Sequence, residues 1–242
     1  MEFSIHNAPL ILGGTVVPPG AKTYTTGLHK SATELSGCSD SLATPTHGLT
    51  VAHCDVGITH VAIGTHFRTG AKDSERIPIV KQTLHPLYNG SVSKSNNFTI
   101  LEFAIPSSFA PVALAAADDS DYVVGAIATA IGWGTTTMGS NFSRELLSVD
   151  VVIASDDECV ADLAKFLPYN TTSMLCAGDL ADRDSCQGDS GDLLVVDKNG
   201  TDVLVGVGSF DIGCNLEGAP GVYLRVSSSR SWIASVVGAA LR

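Results

Sequence analysis

The sequence predicts an all-β fold, either a sandwich or a pair of barrels. Short runs of β-branched and apolar residues recur between clusters of Gly, Asn, Asp and Ser, a spacing typical of antiparallel strands and not of βαβ units. The runs are Leu49–Ala52, Val61–Gly64, Ile77–Val80, Phe98–Phe103, Val123–Gly132, Leu147–Ile153, Leu193–Val196, Val203–Ser209 and Gly221–Val226. A chain of 242 residues can bury one sizeable core, or two smaller cores packed together.

Two helices are predicted among these strands. The first begins at Ser155, which has the spacing of a capping box with Glu158. Val160, Leu163 and Leu167 give this helix an apolar stripe. The second helix closes the chain, where apolar residues recur at helical spacing: Trp232, Ile233, Val236, Val237, Ala240 and Leu241.

Composition excludes several classes of function. The chain has 14 Lys+Arg against 25 Asp+Glu, a net charge of −11, which opposes binding to nucleic acid or to anionic lipid. Hydrophobic residues make up 44% and charged residues 16%, which argues against disorder, and no apolar stretch approaches the length of a membrane span. No cysteine pair has C-x-x-C spacing and the histidines are scattered, so we expect no metal site. We also expect no cofactor, and we expect the protein to be a monomer.

Cysteines and glycosylation sequons favour a secreted protein. Six cysteines point to a disulfide framework, although 15 pairings are possible from spacing alone. N-x-[ST] sequons occur at Asn89, Asn97, Asn141, Asn170 and Asn199. Met1–Leu10 lacks the basic start and apolar region of a signal peptide, so we expect these residues to be a remnant of a leader or of a cloning sequence.

Four short motifs occur in a characteristic order. They are Ile11–Gly14 (I-L-G-G), Thr50–Cys54 (T-V-A-H-C), Gly132–Gly134 (G-W-G) and Asp184–Gly191 (D-S-C-Q-G-D-S-G). Together they resemble the chymotrypsin/trypsin family of serine proteases over nearly the whole chain. The resemblance implies two packed six-stranded antiparallel β-barrels with a C-terminal α-helix.

The resemblance also implies an organisation of the chain into successive parts. Residues 11–115 would form the N-terminal barrel, residues 116–226 the C-terminal barrel and residues 227–242 the closing helix. The small, acidic segment Ala115–Asp121 is the expected crossover between the barrels. In this family the cysteines pair as Cys38–Cys54, Cys159–Cys176 and Cys186–Cys214, which leaves none free.

The family's chemistry is acyl transfer, and the resemblance assigns its parts. Ser190 would be the nucleophile, and His53 the general base that removes its proton. The backbone amides of Gly188 and Ser190 would form the oxyanion hole. The amine of a newly exposed Ile11 would pair with Asp189 and shape that hole.

The resemblance places a trypsin-like S1 pocket in the second half of the chain. Asp184 matches the acid at its base, and with Ser209 and Gly221 it would accept Arg or Lys. At the rim, Asp211 stands where the family has Gly, and its side chain would crowd the entrance.

The third triad residue departs from the family pattern. Family members carry an Asp at the start of a strand of N-D-I-A-L-L-K-L type, and the matching stretch here is Asn96–Phe103. The register that keeps Pro106 and the apolar alternation puts Asn97 at the Asp position, and a slip of one puts Phe98 there. An Asn cannot stabilise the imidazolium and tends to hold the histidine in the wrong tautomer. Because Asn97 is also a sequon residue, either its sequon is skipped or the site is blocked.

Further departures surround the same site. Leu10 precedes Ile11 where a trypsin-like activator needs Arg or Lys, and Asp192 replaces the glycine that ends G-D-S-G-G. Ser39-Asp40 replaces the paired glycines that follow the first barrel cysteine. Together with Asn97 and Asp211, these changes indicate relaxed selection on catalysis.

Three segments are similar to secreted trypsin-like proteins of oomycete plant pathogens, a group that includes glucanase inhibitor proteins. The segments are Val17–Gly27, Val61–His66 and Pro106–Val112. Glucanase inhibitor proteins keep the protease fold, lack an intact triad and bind host endoglucanases. The resemblance to this group therefore implies a protein partner.

Two hypotheses of function follow. In the first, the chain is a secreted, non-proteolytic binder whose loops bind another protein, with a host glycanase as the expected partner. In the second, it is a low-activity trypsin-like endopeptidase that cleaves peptides after Arg or Lys, as the intact His53, Ser190, Asp189 and Asp184 favour. A calcium- or zinc-dependent enzyme has no ligand cluster in the sequence to support it.

Overall fold

The computed structural model describes residues 14–31, 34–70, 74–90, 95–135, 141–164, 166, 168–178, 190–210 and 220–238. They form two closed six-stranded antiparallel barrels and a C-terminal helix, as predicted. No helix among these residues is long and apolar enough to cross a membrane.

Six consecutive strands form the first barrel. The ring closes in the order β2-β3-β4-β7-β6-β5. Its strands are β2 (Thr25–His29), β3 (Leu35–Thr44), β4 (His47–Val51), β5 (His60–Ile63), β6 (Glu75–Leu84) and β7 (Phe98–Phe103). A short 3₁₀ turn, Ala52–Cys54, follows β4.

The second barrel closes in the order β9-β10-β11-β14-β13-β12. Its strands are β9 (Ile127–Gly132), β10 (Leu147–Ile153), β11 (Met174–Gly178), β12 (Leu193–Lys198), β13 (Thr201–Phe210) and β14 (Gly221–Arg225). Two short strands lie outside this ring: β1 (Thr15–Val16) pairs with β10, and β8 (Ala113–Leu114) pairs in parallel with β13. One hydrophobic core extends through both barrels.

Both predicted helices are present. Helix α1 (Asp156–Leu163) has the predicted capping box, in which the Ser155 side chain accepts from the Glu158 N–H and the Glu158 side chain accepts from the Ser155 N–H. Helix α2 (Arg230–Val237) follows a 3₁₀ turn at Ser227–Ser229. Ala240 and Leu241, predicted to continue it, lie outside the described residues.

Two details of the sequence prediction are wrong. Val160 does not belong to a buried stripe of α1, because it is 45% exposed while Leu163 is buried. Leu167 lies outside the described residues. The run Val123–Gly132 is a strand only from Ile127, since Val123 and Val124 precede it in an exposed turn.

The sequence runs also missed β2, β3 and β11, as well as the two-residue strands β1 and β8. In β2 and β3 the cause is composition, because their buried positions are occupied by small polar residues and not by an alternation of apolar ones. The fully buried members include Thr25, Thr26, Asp40, Ser41 and Thr44. Side-chain hydrogen bonds inside the barrel, such as Ser41 Oγ to the Leu49 carbonyl at 3.0 Å, make this burial possible.

Arg225, at the end of β14, joins several parts of the second barrel. Its Nε donates to the Met174 carbonyl at 2.9 Å, and its Nη1 donates to Asp119 at 3.1 Å and to the Tyr122 hydroxyl at 2.6 Å. Its Nη2 donates to Asp156, the first residue of α1, at 2.8 Å. One guanidinium therefore connects α1, β11 and the segment between the barrels.

We predict that Arg225→Met lowers the free energy of unfolding by about 2 kcal/mol, because Asp119 and Asp156 lose their cationic partner and the Met174 carbonyl loses a donor. Urea denaturation followed by far-UV circular dichroism measures the change. Arg230→Met is the matched control, since the Arg230 side chain makes no hydrogen bond or ion pair with described residues. Equal midpoints for the two variants would contradict the prediction.

Candidate active site

His53 lies on the 3₁₀ turn between the end of β4 and the disulfide Cys38–Cys54. The Ala52 N–H donates to the Asn97 carbonyl at 2.6 Å, and the His53 N–H donates to Asn97 Oδ1 at 3.1 Å. Two hydrogen bonds therefore fix this turn against Asn97, the residue before β7, and the disulfide ties it to β3. The imidazole is half-buried at the surface of the first barrel.

Ser190 belongs to the second barrel and precedes β12. Its carbonyl accepts from the Ser39 N–H at 2.9 Å, and the next N–H, that of Gly191, donates to Gly208 at 2.8 Å. Gly191 has φ +87°, and a side chain there would overlap the Ser39 carbonyl, so only glycine fits the turn. These contacts place Ser190 Oγ 3.0 Å from His53 Nε2.

Asn97 completes a three-residue line with His53 and Ser190. Its side chain is fully buried, and its Nδ2 lies 2.7 Å from His53 Nδ1. The same Nδ2 donates to Ser209 Oγ at 3.2 Å. The structure thus brings together the three residues that the sequence placed in the triad, and adds Ser209, which sequence reasoning had assigned to the S1 pocket alone.

The orientation of the Asn97 amide is fixed by its neighbours. A backbone N–H can only donate, so the atom that faces the His53 N–H must be the amide oxygen. The amide nitrogen then faces His53 Nδ1, which must accept. A neutral imidazole that accepts at Nδ1 carries its proton on Nε2.

This tautomer has the wrong polarity for acyl transfer. A proton on Nε2 makes His53 a donor toward Ser190 Oγ, whereas a general base must accept the serine's proton. An imidazolium would also direct its Nδ1–H at the N–H of Asn97, at the position where the family's Asp supplies an acceptor. The exchange of Asp for Asn at this position lowers kcat by about 10⁴ in the serine-protease triad.

The five sequons differ in exposure. Asn97 is fully buried, so the folded protein has no room for a glycan there. The other four asparagines, Asn89, Asn141, Asn170 and Asn199, are exposed. Asn170 also connects the two barrels, because its Nδ2 donates to Ser95 Oγ at 3.2 Å.

Several predicted site residues lie outside the described residues: Ile11, Asp184, Gly188, Asp189, Asp211, Cys186 and Cys214. Of the expected S1 residues, Ser209 lies in β13 and Gly221 opens the neighbouring β14, and both are buried. Cys159 and Cys176 form the second described disulfide. Within the described ranges no three His, Cys, Asp or Glu side chains are grouped as metal ligands.

Two aspartates that replace family glycines are buried near the nucleophile turn. Asp192 is 4% exposed and lies over Gly132, where a Cβ would overlap its carboxylate. Asp40 is fully buried over Gly48, and Thr26 Oγ1 donates to its Oδ2 at 2.7 Å. Burial raises the pKa of Asp40 from 3.8 to about 8, against the lowering effect of its hydrogen bonds.

Comparisons with known proteins agree with this geometry. A family model described as Trypsin matches residues 11–233. The chain is 41% identical over 234 residues to glucanase inhibitor protein 1 of Phytophthora infestans, covering 94% of this chain and 88% of the relative. It is 41% identical over 238 residues to glucanase inhibitor protein 3 of Phytophthora sojae, covering 94% and 89%. It is also 35% identical over 195 residues to a trypsin of Saccharopolyspora erythraea, covering 79% and 82%.

We predict that His53 is the Nε2–H tautomer at neutral pH and that Asn97→Asp converts it to Nδ1–H, because a carboxylate accepts where the amide donates. Long-range ¹H–¹⁵N NMR spectra of the imidazole distinguish the two forms. Asn89→Asp, which adds the same charge at an exposed asparagine, should leave the tautomer unchanged. An Nδ1–H imidazole in the wild type would show that the amide has the opposite orientation.

We predict that stability falls as pH rises because of Asp40. Its folded pKa of about 8 lies above its unfolded value of 3.8, so the folded state holds the proton more tightly between these pH values. The free energy of unfolding should therefore decline from about pH 4 to about pH 8, and less so in Asp40→Asn. Urea midpoints across this range measure both slopes. Parallel slopes would mean that Asp40 does not cause the decline.

Proposed function

The chain belongs to the trypsin family, and from that premise we propose that it is a protease homologue that binds another protein without cleaving it. The observation that carries the proposal is the contact between Asn97 Nδ2 and His53 Nδ1, which leaves His53 a donor toward Ser190. The serine and histidine keep their positions but lack the polarity that proton transfer needs.

The similarity to two Phytophthora glucanase inhibitor proteins supports the kind of partner. We infer that the chain is exported and binds a glucanase, and that the physiological target is an endoglucanase of a host. Two disulfides among the described residues suit an oxidising, extracellular compartment. Exposed sequons at Asn89, Asn141, Asn170 and Asn199 suit the same compartment.

The second candidate is a weak trypsin-like endopeptidase. It is favoured by the 3.0 Å contact between His53 Nε2 and Ser190 Oγ, which keeps the nucleophile at reaction geometry. In that case Asp184 would select Arg or Lys at P1, Gly188 and Ser190 would supply the oxyanion hole, and pairing of Ile11 with Asp189 would activate the enzyme.

A peptidase assay separates the two candidates. With the chain beginning at Ile11, we expect wild-type hydrolysis of an Arg-P1 fluorogenic peptide to stay at the level of the Ser190→Ala blank. Asn97→Asp restores the acceptor and should raise kcat by up to about 10⁴, with Asn89→Asp as the charge-matched control. Ser190-dependent turnover by the wild type would refute the non-proteolytic proposal.

Binding is tested directly with a purified plant endoglucanase. We expect the wild type and Ser190→Ala to inhibit it with equal inhibition constants, because binding needs no covalent step. Biolayer interferometry measures the affinity, and glucan hydrolysis measures the inhibition. Inhibition that disappears in Ser190→Ala would show that the serine acts chemically and not as part of a binding surface.

A further inference from the structure

An apolar groove lies beside α1 on the second barrel. Its volume is about 450 Å³, and it is lined by Val160, Ala164, Phe166, Pro168 and Tyr169. Val160 is 45% exposed and Phe166 is 49% exposed. Two large apolar side chains are therefore open to solvent within one concave surface.

The exposed residues that line the groove are not the ones that pack α1 against its barrel. Cys159 and Leu163, on the inner face of the helix, are fully buried in a cluster with Met174, Cys176 and Val222. Val160 points to the other side, which explains why the predicted apolar stripe was wrong at this position. Neither Val160 nor Phe166 packs against this cluster, so both side chains are available to a ligand.

Tyr169 forms a fixed wall of the groove. Its hydroxyl donates to Asp156 Oδ1 at 3.0 Å and lies 3.1 Å from the Met174 carbonyl. The partner Asp156 is in turn held by Arg225 at 2.8 Å. This wall of the groove is therefore held in place before any ligand arrives, which reduces the entropy cost of binding.

One end of the groove is acidic. Helix α1 carries Asp156, Asp157, Glu158 and Asp162 and no basic residue over its length. Asp156 is occupied by Arg225, and Glu158 by the capping box. Asp157 is exposed, lies one turn before Val160 on the same face, and forms no ion pair with a described cation.

We propose that this groove anchors the protein partner and receives an apolar side chain that is followed by a lysine or arginine. The apolar side chain would cover Val160 and Phe166, and the cation would pair with Asp157. Charge complementarity favours this occupant, since the exposed carboxylate of Asp157 attracts a cation and repels an acidic side chain beside it. The identity of the partner as a glucanase rests on the function proposed above, whereas the chemistry of the groove does not.

The chemistry of the groove is tested without any glucanase. Protonated phenethylamine carries an aromatic ring and a cation in one small molecule. When it is titrated into the full, ¹⁵N-labelled chain, we expect saturable shifts confined to residues 156–170. Phe166→Ser and Asp157→Asn should each weaken the apparent Kd several-fold, and Asp157→Asn should also remove its dependence on salt. Equal shifts with wild type and both variants would overturn the proposal.

The role in partner binding is tested with the same variants against the glucanase. We expect Phe166→Ser and Asp157→Asn to raise Kd about tenfold or more, as is typical of anchor residues. Ile105→Ser is the control, because Ile105 is 59% exposed on the other barrel. The Kd of the wild type for the glucanase tests the proposed function. The ratio of the variant's Kd to the wild-type Kd tests whether the groove contributes to binding. A variant ratio equal to that of the control would overturn the groove's role.

Two other occupants are distinguished by the same samples. Asn170 follows Tyr169 directly, so a glycan on it is one alternative. Binding of phenethylamine only after enzymatic removal of N-glycans would assign the groove to that sugar and overturn the proposal. A second copy of the chain is the other alternative. A wild-type dimer in sedimentation velocity that Phe166→Ser dissolves would likewise overturn it.

Discussion

The hydrogen bond from the His53 backbone N–H to Asn97 Oδ1 is the constraint on which the candidate site depends. A backbone N–H has no alternative role, so it fixes which end of the amide faces the imidazole. The remaining end can only donate to Nδ1, and the imidazole must place its proton toward Ser190. A buried amide with two fixed neighbours thus reverses the polarity of a site whose atoms are otherwise in reaction position.

Around this site, two buried aspartates fit because each lies against a glycine. Asp40 occupies space that Gly48 leaves open, and Asp192 occupies space over Gly132. Both aspartates stand where the family has glycine, and both lie close to the turn that carries Ser190. Burying the carboxyl group of Asp40 costs stability at neutral pH, because burial raises its pKa. A catalytic site under selection for its nucleophile turn has little reason to bear that cost, which agrees with a scaffold retained for its shape.

If the protein binds a partner without cleaving it, residues on the outer surface of the second barrel can contribute to binding as well as those of the cleft. The groove beside α1 combines exposed Val160 and Phe166 with an acidic helix end, while the same helix packs on its barrel through Cys159 and Leu163. The two faces of one helix therefore serve different needs: the inner face holds the fold, and the outer face is available to a partner.

The sequence by itself determined the fold class, the order of the motifs, the capping box of α1 and the place of Asn97 in the triad. Each of these depends on residues close together in the chain or on a motif order. It did not reveal β2 and β3, whose buried Thr25, Thr26 and Asp40 look like loop residues until a closed barrel supplies their surroundings. Only the tertiary structure decided the tautomer of His53, the burial of Asp40 and the exposure of Val160. These depend on tertiary contacts: Asn97 with His53, Asp40 with Gly48 on the neighbouring strand, and α1 with β11 and β14. Local spacing carries no information about such contacts.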